Sequence, residues 1–213
     1  MMTNEIQTIA VIGAGDQGRE IALSVLLAGY RTILEDVSVN RLERAAASIL
    51  RSANVGAEAR SRLVLASKIE EAVREADLIV EAVAEEMEMK IEMFTIFDKF
   101  AKPDAIFASS SFSLSIAELA AVTFCPERCI GLRFVPGPGK ENALELVCTP
   151  KTSEETVARC REVGRRMGKE VMVTREAGPH RQGALRSSGQ ASATRSAAPA
   201  AGLEISQDGL APK

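Results

Sequence analysis

No one sign of charge dominates this sequence, in which 26 lysines and arginines are interleaved with 29 aspartates and glutamates for a formal net charge of -3. Without a basic field to gather phosphate backbones, nucleic acid is not an expected partner. Long apolar runs are also lacking. The longest nearly apolar stretch, Ile21 to Ala28, is far too short to span a bilayer, and residues 1–5 show no basic segment leading into an apolar one. The expectation is a cytoplasmic protein without a membrane partner. Only four cysteines occur (Cys125, Cys129, Cys148, Cys160), and no second pair or histidine completes a metal-type spacing. They are expected to be reduced structural thiols, with no metal. The single histidine, His180, lies in a segment that offers nothing to orient it, so no catalytic imidazole is expected there.

What the chain does have is 46% apolar content, enough for a buried core, and a regular alternation of patterns. Thr8 to Ile12 reads as a strand, Gln17 to Ala28 as a helix capped by Gly29, and Arg31 to Glu35 as a second strand. Val39 to Ala53 carries Leu42, Ala45, Ala46, Ile49 and Leu50 at helical spacing. Leu63 to Ala66, Leu78 to Val83, Ala105 to Ala108, Ile130 to Phe134, Leu144 to Cys148 and Val171 to Thr174 are further strand candidates. Glu86 to Phe100 and Ser153 to Met167 are further helices. On the first of these, Met89, Met93, Ile96, Phe97 and Phe100 form a stripe expected to be core rather than a binding surface. Strands alternating with helices predict an α/β fold, a doubly wound, mostly parallel sheet over residues 1–177. From residue 178 to 213 the composition shifts to Ala, Ser, Gly, Arg and Gln, with few sizeable apolar residues, which predicts a disordered tail or a weak helix that docks on a partner.

The pattern Gly13-Ala-Gly15-Asp16-Gln17-Gly18 lies directly after the first strand and opens the next helix. In that context the first glycine permits a tight turn, the second lets a pyrophosphate approach the backbone, and the third lets helix pack on strand, with the phosphates on the helix N-terminus. A glycine-rich turn without a ligand is the plainer alternative. Asp36 stands against it: this carboxylate ends the second strand, 18 residues past Gly18, where it can accept hydrogen bonds from the adenosine ribose. Glu35 and Asp36 together disfavour a 2′-phosphate, so NAD rather than NADP is expected in a Rossmann-type domain. Arg41 is the one nearby cation that argues otherwise.

Four further segments carry a resemblance to a known family: residues 77–85 (DLIVEAVAE), 108–116 (ASSSFSLSI), 126–134 (PERCIGLRF) and 144–150 (LELVCTP). Their order and spacing resemble the N-terminal half of the 3-hydroxyacyl-CoA dehydrogenases over nearly all of residues 5–177. The resemblance implies that Glu85 and Lys90 contact the nicotinamide half of the cofactor. For Glu85 a solvated helix N-terminus is the alternative reading. It also implies hydride transfer from C3 of a 3-hydroxyacyl thioester to NAD, as in fatty acid metabolism, with a histidine taking the hydroxyl proton and a glutamate orienting it. The glutamate is matched by Glu145, but the family's Gly-Leu-His-Phe stands here as Gly131-Leu132-Arg133-Phe134. Arginine stays protonated and cannot act as the base at neutral pH. The family's Asn-Thr-Ser-Ser becomes Ser110-Ser111-Phe112-Ser113, which makes Ser110 a further catalytic candidate and puts Phe112 where a serine contacts substrate and cofactor. An Asn-Pro pair is replaced by Pro136-Gly137.

The simplest expectation is that Arg133 and Glu145 form an ion pair in place of the catalytic dyad. The alternative is that Arg133 binds the carboxylate of an anionic substrate. Family members continue into a helical domain that covers the acyl chain and supplies most of the dimer contact. After Ala177 no such pattern is visible, as out-of-frame translation of a GC-rich gene would produce, and a family-type homodimer is therefore not expected. Three functional readings follow. The first is an NAD-binding 3-hydroxyacyl-CoA dehydrogenase homologue of impaired activity. The second is an active relative on another acyl thioester, anionic or carried by a protein instead of coenzyme A. The third is a non-catalytic NAD-binding module.

Overall fold

A computed structural model describes residues 5–135 and 143–176. The chain begins with β1 (Thr8–Ile12), α1 (Asp16–Leu27), β2 (Arg31–Glu35), α2 (Val39–Arg51), α3 (Ala57–Arg62) and β3 (Leu63–Ala66). It continues with α4 (Ile69–Glu75), β4 (Leu78–Glu81), α5 (Met87–Phe100), β5 (Ile106–Ser109) and α6 (Ile116–Ala121). A 3-10 turn at Pro126–Arg128 leads to β6 (Cys129–Phe134), β7 (Ala143–Cys148), α7 (Glu154–Arg166) and β8 (Glu170–Arg175).

The eight strands form one sheet in the order β3-β2-β1-β4-β5-β6-β7-β8. All neighbours are parallel except β6 and β7, which run antiparallel. The period of two along each strand divides the core. Ile9 and Val11 of β1 join Leu34, Leu78 and Val80 on one face, under Ile21, Val25 and Leu26 of α1, Leu42 and Ile49 of α2, and Cys160 and Val163 of α7. Ala10 and Ile12 join Ile33, Ile79 and Phe107 on the other, under α4, α5 and α6. Both faces are covered, which is why the strands carry continuous apolar runs. Helices cover each side and the strand order reverses between β1 and β4, so the mouth of the sheet opens at the carboxyl ends of those two strands.

The long elements lie where the sequence places them, while α3, α4 and α6 were not foreseen. The stripe on α5 divides. Its buried positions are Lys90, Phe94 and Phe97, and Phe97 packs 5.5 Å from Phe94 and 5.8 Å from Phe107 between ring centroids. Met93 and Phe100 pack half-buried against that core, as expected, and Met93 also reaches the cleft described below. Met89, 38% exposed, faces that cleft and departs from the expectation that the whole stripe is core. All four cysteines are buried free thiols, and burial pushes Cys160 up to about 12. The tail after residue 176 and the Pro136-Gly137 pair lie outside the described residues. No helix among the described residues is long and apolar enough to cross a membrane.

Candidate functional site

The glycine loop joins β1 to α1, and each of its glycines meets a different constraint. Gly13 has a φ of 105°, and a Cβ there would lie 2.7 Å from the carbonyl oxygen of Ala82. A Cβ on Gly18 would collide with the carbonyl oxygen of Gly13. At Gly15 an added Cβ meets nothing within 4 Å, so bare backbone faces open space. Gly15 is also the N-cap of α1, where no side chain caps the free N–H groups of the first turn. An open approach to uncapped N–H groups at the positive end of a 12-residue helix suits a pyrophosphate. Asp16 directs its carboxylate into solvent, 3.5 Å from Arg19, which leaves its backbone as the part turned to a ligand.

Asp36 is 4% exposed and braces the loop, accepting the Ala14 N–H at 2.9 Å and the Ser38 N–H at 2.8 Å, one on each oxygen. Arg41 stands 3.4 Å from the oxygen that binds Ala14. A carboxylate has about four lone-pair positions, so acceptor capacity remains for ribose hydroxyls. Gly13, Gly15, Asp16, Gln17 and Asp36 all line one cleft of about 740 Å³, walled on its apolar side by Val37, Ile69, Met89 and Met93. Glu35 lines the same cleft, but burial, together with the neighbouring charges of Asp36 and Glu70, pushes its carboxyl up to about 7. Of the two carboxylates the sequence singled out, Asp36 braces the loop and Glu35 lines the cleft wall beside it.

Glu85, 43% exposed just ahead of α5, is nevertheless held by hydrogen bonds. One of its oxygens accepts four hydrogen bonds from the loop between β5 and α6: Ser111 Oγ at 2.5 Å, Phe112 N at 3.1 Å, Ser113 N at 3.1 Å and Ser113 Oγ at 2.9 Å. Burial alone would raise this carboxyl. The Ser111 hydroxyl, the Ser113 N–H and hydroxyl, and the Lys90 charge outweigh it and hold the group down at about 2. Lys90, 1% exposed, sits beneath with its ammonium 2.7 Å from Glu81 and 3.3 Å from Glu85. It acts on the site through those carboxylates rather than by an open face of its own.

Glu81 is fully buried and also accepts from Ser109 Oγ and the Val83 N–H, both at 2.7 Å. The sequence reading missed this group, although its signal was present: a glutamate inside the apolar run 78–83 must find a buried partner. Gln17 ties the two halves of the site together, donating from Nε2 to the Ser110 carbonyl at 3.2 Å. The Ser110 hydroxyl is buried without a hydrogen-bond partner among the described residues.

Arg133 and Glu145 face each other across the antiparallel pair of β6 and β7. Their charged groups lie 3.6 Å apart, and each is further fixed: Arg133 Nε donates to the Ser111 carbonyl at 2.6 Å, and Thr174 Oγ1 donates to Glu145 at 2.8 Å. Glu145, Arg133, Ser111, Glu85, Lys90 and Glu81 thus form one chain of polar contacts. Phe112, half exposed, caps the loop beside it.

A glycine loop at an open helix N-terminus, with a buried carboxylate at the end of the next strand, is the arrangement of a dinucleotide-binding domain. The profile "3-hydroxyacyl-CoA dehydrogenase, NAD binding domain" matches residues 8–177, and the chain belongs to that family. The cofactor of the domain is NAD. A 3-hydroxybutyryl-CoA dehydrogenase of Bradyrhizobium diazoefficiens is 33% identical in an alignment of 186 residues that covers 82% of this chain and 63% of that protein. The peroxisomal bifunctional enzyme of Danio rerio is 32% identical, over 78% of this chain and 24% of its own length. The crystal structure of (S)-3-hydroxybutyryl-CoA dehydrogenase from Ralstonia eutropha superposes with a TM-score of 0.74 at 25% identity, over 81% of this chain and 65% of that one. The chain spans less than two thirds of the length of these relatives.

Proposed function

We propose that this chain binds NAD in the cleft above the glycine loop and that its transfer of hydride to and from 3-hydroxyacyl thioesters is strongly impaired. The bound dinucleotide would supply the hydride acceptor. Gly13, Gly15 and Asp36 hold its adenosine and pyrophosphate portions, while Glu85 orders the 111–113 loop beside the nicotinamide end. The reading of impaired activity rests on one observation. Where the family resemblance implies a histidine against a glutamate, a guanidinium is anchored to Glu145 at 3.6 Å and to the Ser111 carbonyl at 2.6 Å. A permanently charged group so held takes no proton from a hydroxyl. Loss of a general base costs about 10²- to 10⁴-fold in rate.

The candidate substrate is an acyl thioester of the kind the named relatives act on, carried by coenzyme A or by a carrier protein. The test is NADH fluorescence titration together with turnover of acetoacetyl-CoA, on this chain and on Arg133→His with Phe112→Ser. Binding of NADH with little turnover in the native chain, and turnover rising at least tenfold in the double variant, is the expected result. Turnover by the native chain equal to that of the Bradyrhizobium relative would overturn it.

A further inference from the structure

The cleft contains one group that neither the glycine loop nor the hydride chemistry uses. Glu35 closes β2, with Ile12 of β1 and Ala66 of β3 as its register partners, and its side chain is 6% exposed. It lies on the cleft wall with Ile69, Met89 and Met93; its backbone carbonyl accepts the Gly13 N–H at 2.9 Å, while its side chain forms no hydrogen bond or ion pair with the described residues. The carboxyl oxygens keep access to the cleft, and a ligand that covers them must supply a partner or leave them unsatisfied. The ligand of this cleft has such a partner to offer. With its ribose at Asp36 and its pyrophosphate at Gly15, the base must occupy the part of the cleft beyond the ribose, whose apolar side chains suit the faces of a flat ring. Adenine presents an amino donor beside a ring-nitrogen acceptor on either hydrogen-bonding edge. A neutral carboxylic acid complements that pair, having one donor and one acceptor. A carboxylate complements only half of it.

Resting on the assignment of NAD to this cleft, we propose that Glu35 reads the adenine ring as a neutral carboxylic acid, donating to a ring nitrogen and accepting from the amino group. The surroundings favour that form. Asp36 adjoins it, Glu70 stands on α4, and Glu92 of α5 and Asp16 of α1 line the cleft, while the one cation there, Arg41 of α2, is turned to Asp36. Burial and the Asp36 and Glu70 charges already hold the free carboxyl at about 7. A bound base excludes water and a pyrophosphate adds negative charge, so both raise it further. Binding then takes up a proton above neutrality, and affinity falls as the pH rises.

The experiment is calorimetric titration with ADP-ribose, which contains the adenosine and pyrophosphate but no nicotinamide, between pH 6 and 8.5, for the native chain, Glu35→Gln and Glu35→Leu. For the native chain Kd should be flat below about 7 and rise toward tenfold per pH unit above it. Glu35→Gln, whose amide keeps a donor and an acceptor, should bind with a flat profile and near-native affinity at pH 6. Glu35→Leu should be flat and about tenfold weaker. A flat native profile, or the same slope in Glu35→Gln, overturns the proposal. Glu35→Leu binding as tightly as Glu35→Gln reduces the residue to charge repulsion and overturns it as well. Absence of ADP-ribose binding by all three proteins at pH 6 would instead strike the NAD assignment itself.

Discussion

The carboxyl ends of β1 and β2 and the ends of β6 and β7 belong to one sheet, yet they have met different demands. The first presents bare backbone at Gly15, a braced loop, and Asp36 with acceptor capacity to spare. At the second, the register sets Arg133 against Glu145, and the guanidinium is tied to that carboxylate and to the Ser111 carbonyl. The two regions rest on different strands, so the proposed nucleotide binding and the proposed loss of proton transfer can be tested separately. A sheet tolerates a changed side chain at a strand end, where neither core contains it, far more readily than it tolerates a changed glycine under a helix.

The strongest test of that separation acts on the polar core between the two regions. Lys90→Met removes the one cation paired with Glu81 among the described residues and leaves an uncompensated charge at this fully buried group. The expected loss is about 3–5 kcal/mol of folding stability, measured by urea denaturation. The double change Lys90→Met with Glu81→Gln should recover much of it. Failure of the double variant to recover would mean that the ammonium supports the fold through packing of its stem and not through charge.

A smaller effect probes the nucleotide side alone. Asp36→Ala removes the acceptor for Ala14, Ser38 and a ribose, and Kd for NADH should rise about tenfold or more. Kd for NADPH should stay level or fall, because the charge that repels a 2′-phosphate is gone. That opposite response separates ligand recognition from general loosening of the loop. Equal losses for both cofactors would assign Asp36 to bracing only.

Much of this was legible from residue order. β1, β2 and β3 match their expected spans residue for residue; β1, buried along its whole length, writes itself as a nearly unbroken apolar run, whereas β3 at the sheet edge is only half-buried. The glycine pattern and Asp36 came together because the β-α-β connection fixes their separation. The facing of Arg133 and Glu145 came from the family alignment and is realised by an antiparallel pair that strand patterns alone do not specify. The helices α3, α4 and α6 have six, seven and six residues, too few for a periodic stripe to stand out. Lys90 and Glu35 were singled out in the sequence, but their burial was not legible there: a charged letter signals solvent, and only the three-dimensional neighbours reveal that each is buried.

The smallest effect tests whether Glu85 belongs to both regions, since it is joined to Lys90 on one side and to the 111–113 loop on the other. Its carboxyl is held at about 2, well below the ordinary glutamate value near 4.5. A folded-state value below the unfolded one means that the charged form stabilises the fold. The contribution is present above about pH 4.5 and is lost as the pH falls toward 2. The side chain is 43% exposed, so solvent screening reduces the benefit to about 1 kcal/mol. Glu85→Gln should therefore be about that much less stable at pH 7, with the difference narrowing as urea midpoints are followed from pH 5 down to 3. A constant difference across that range would mean that the four hydrogen bonds, not the charge, set the contribution. The loop bearing Phe112 would then be held in place irrespective of the protonation of the site.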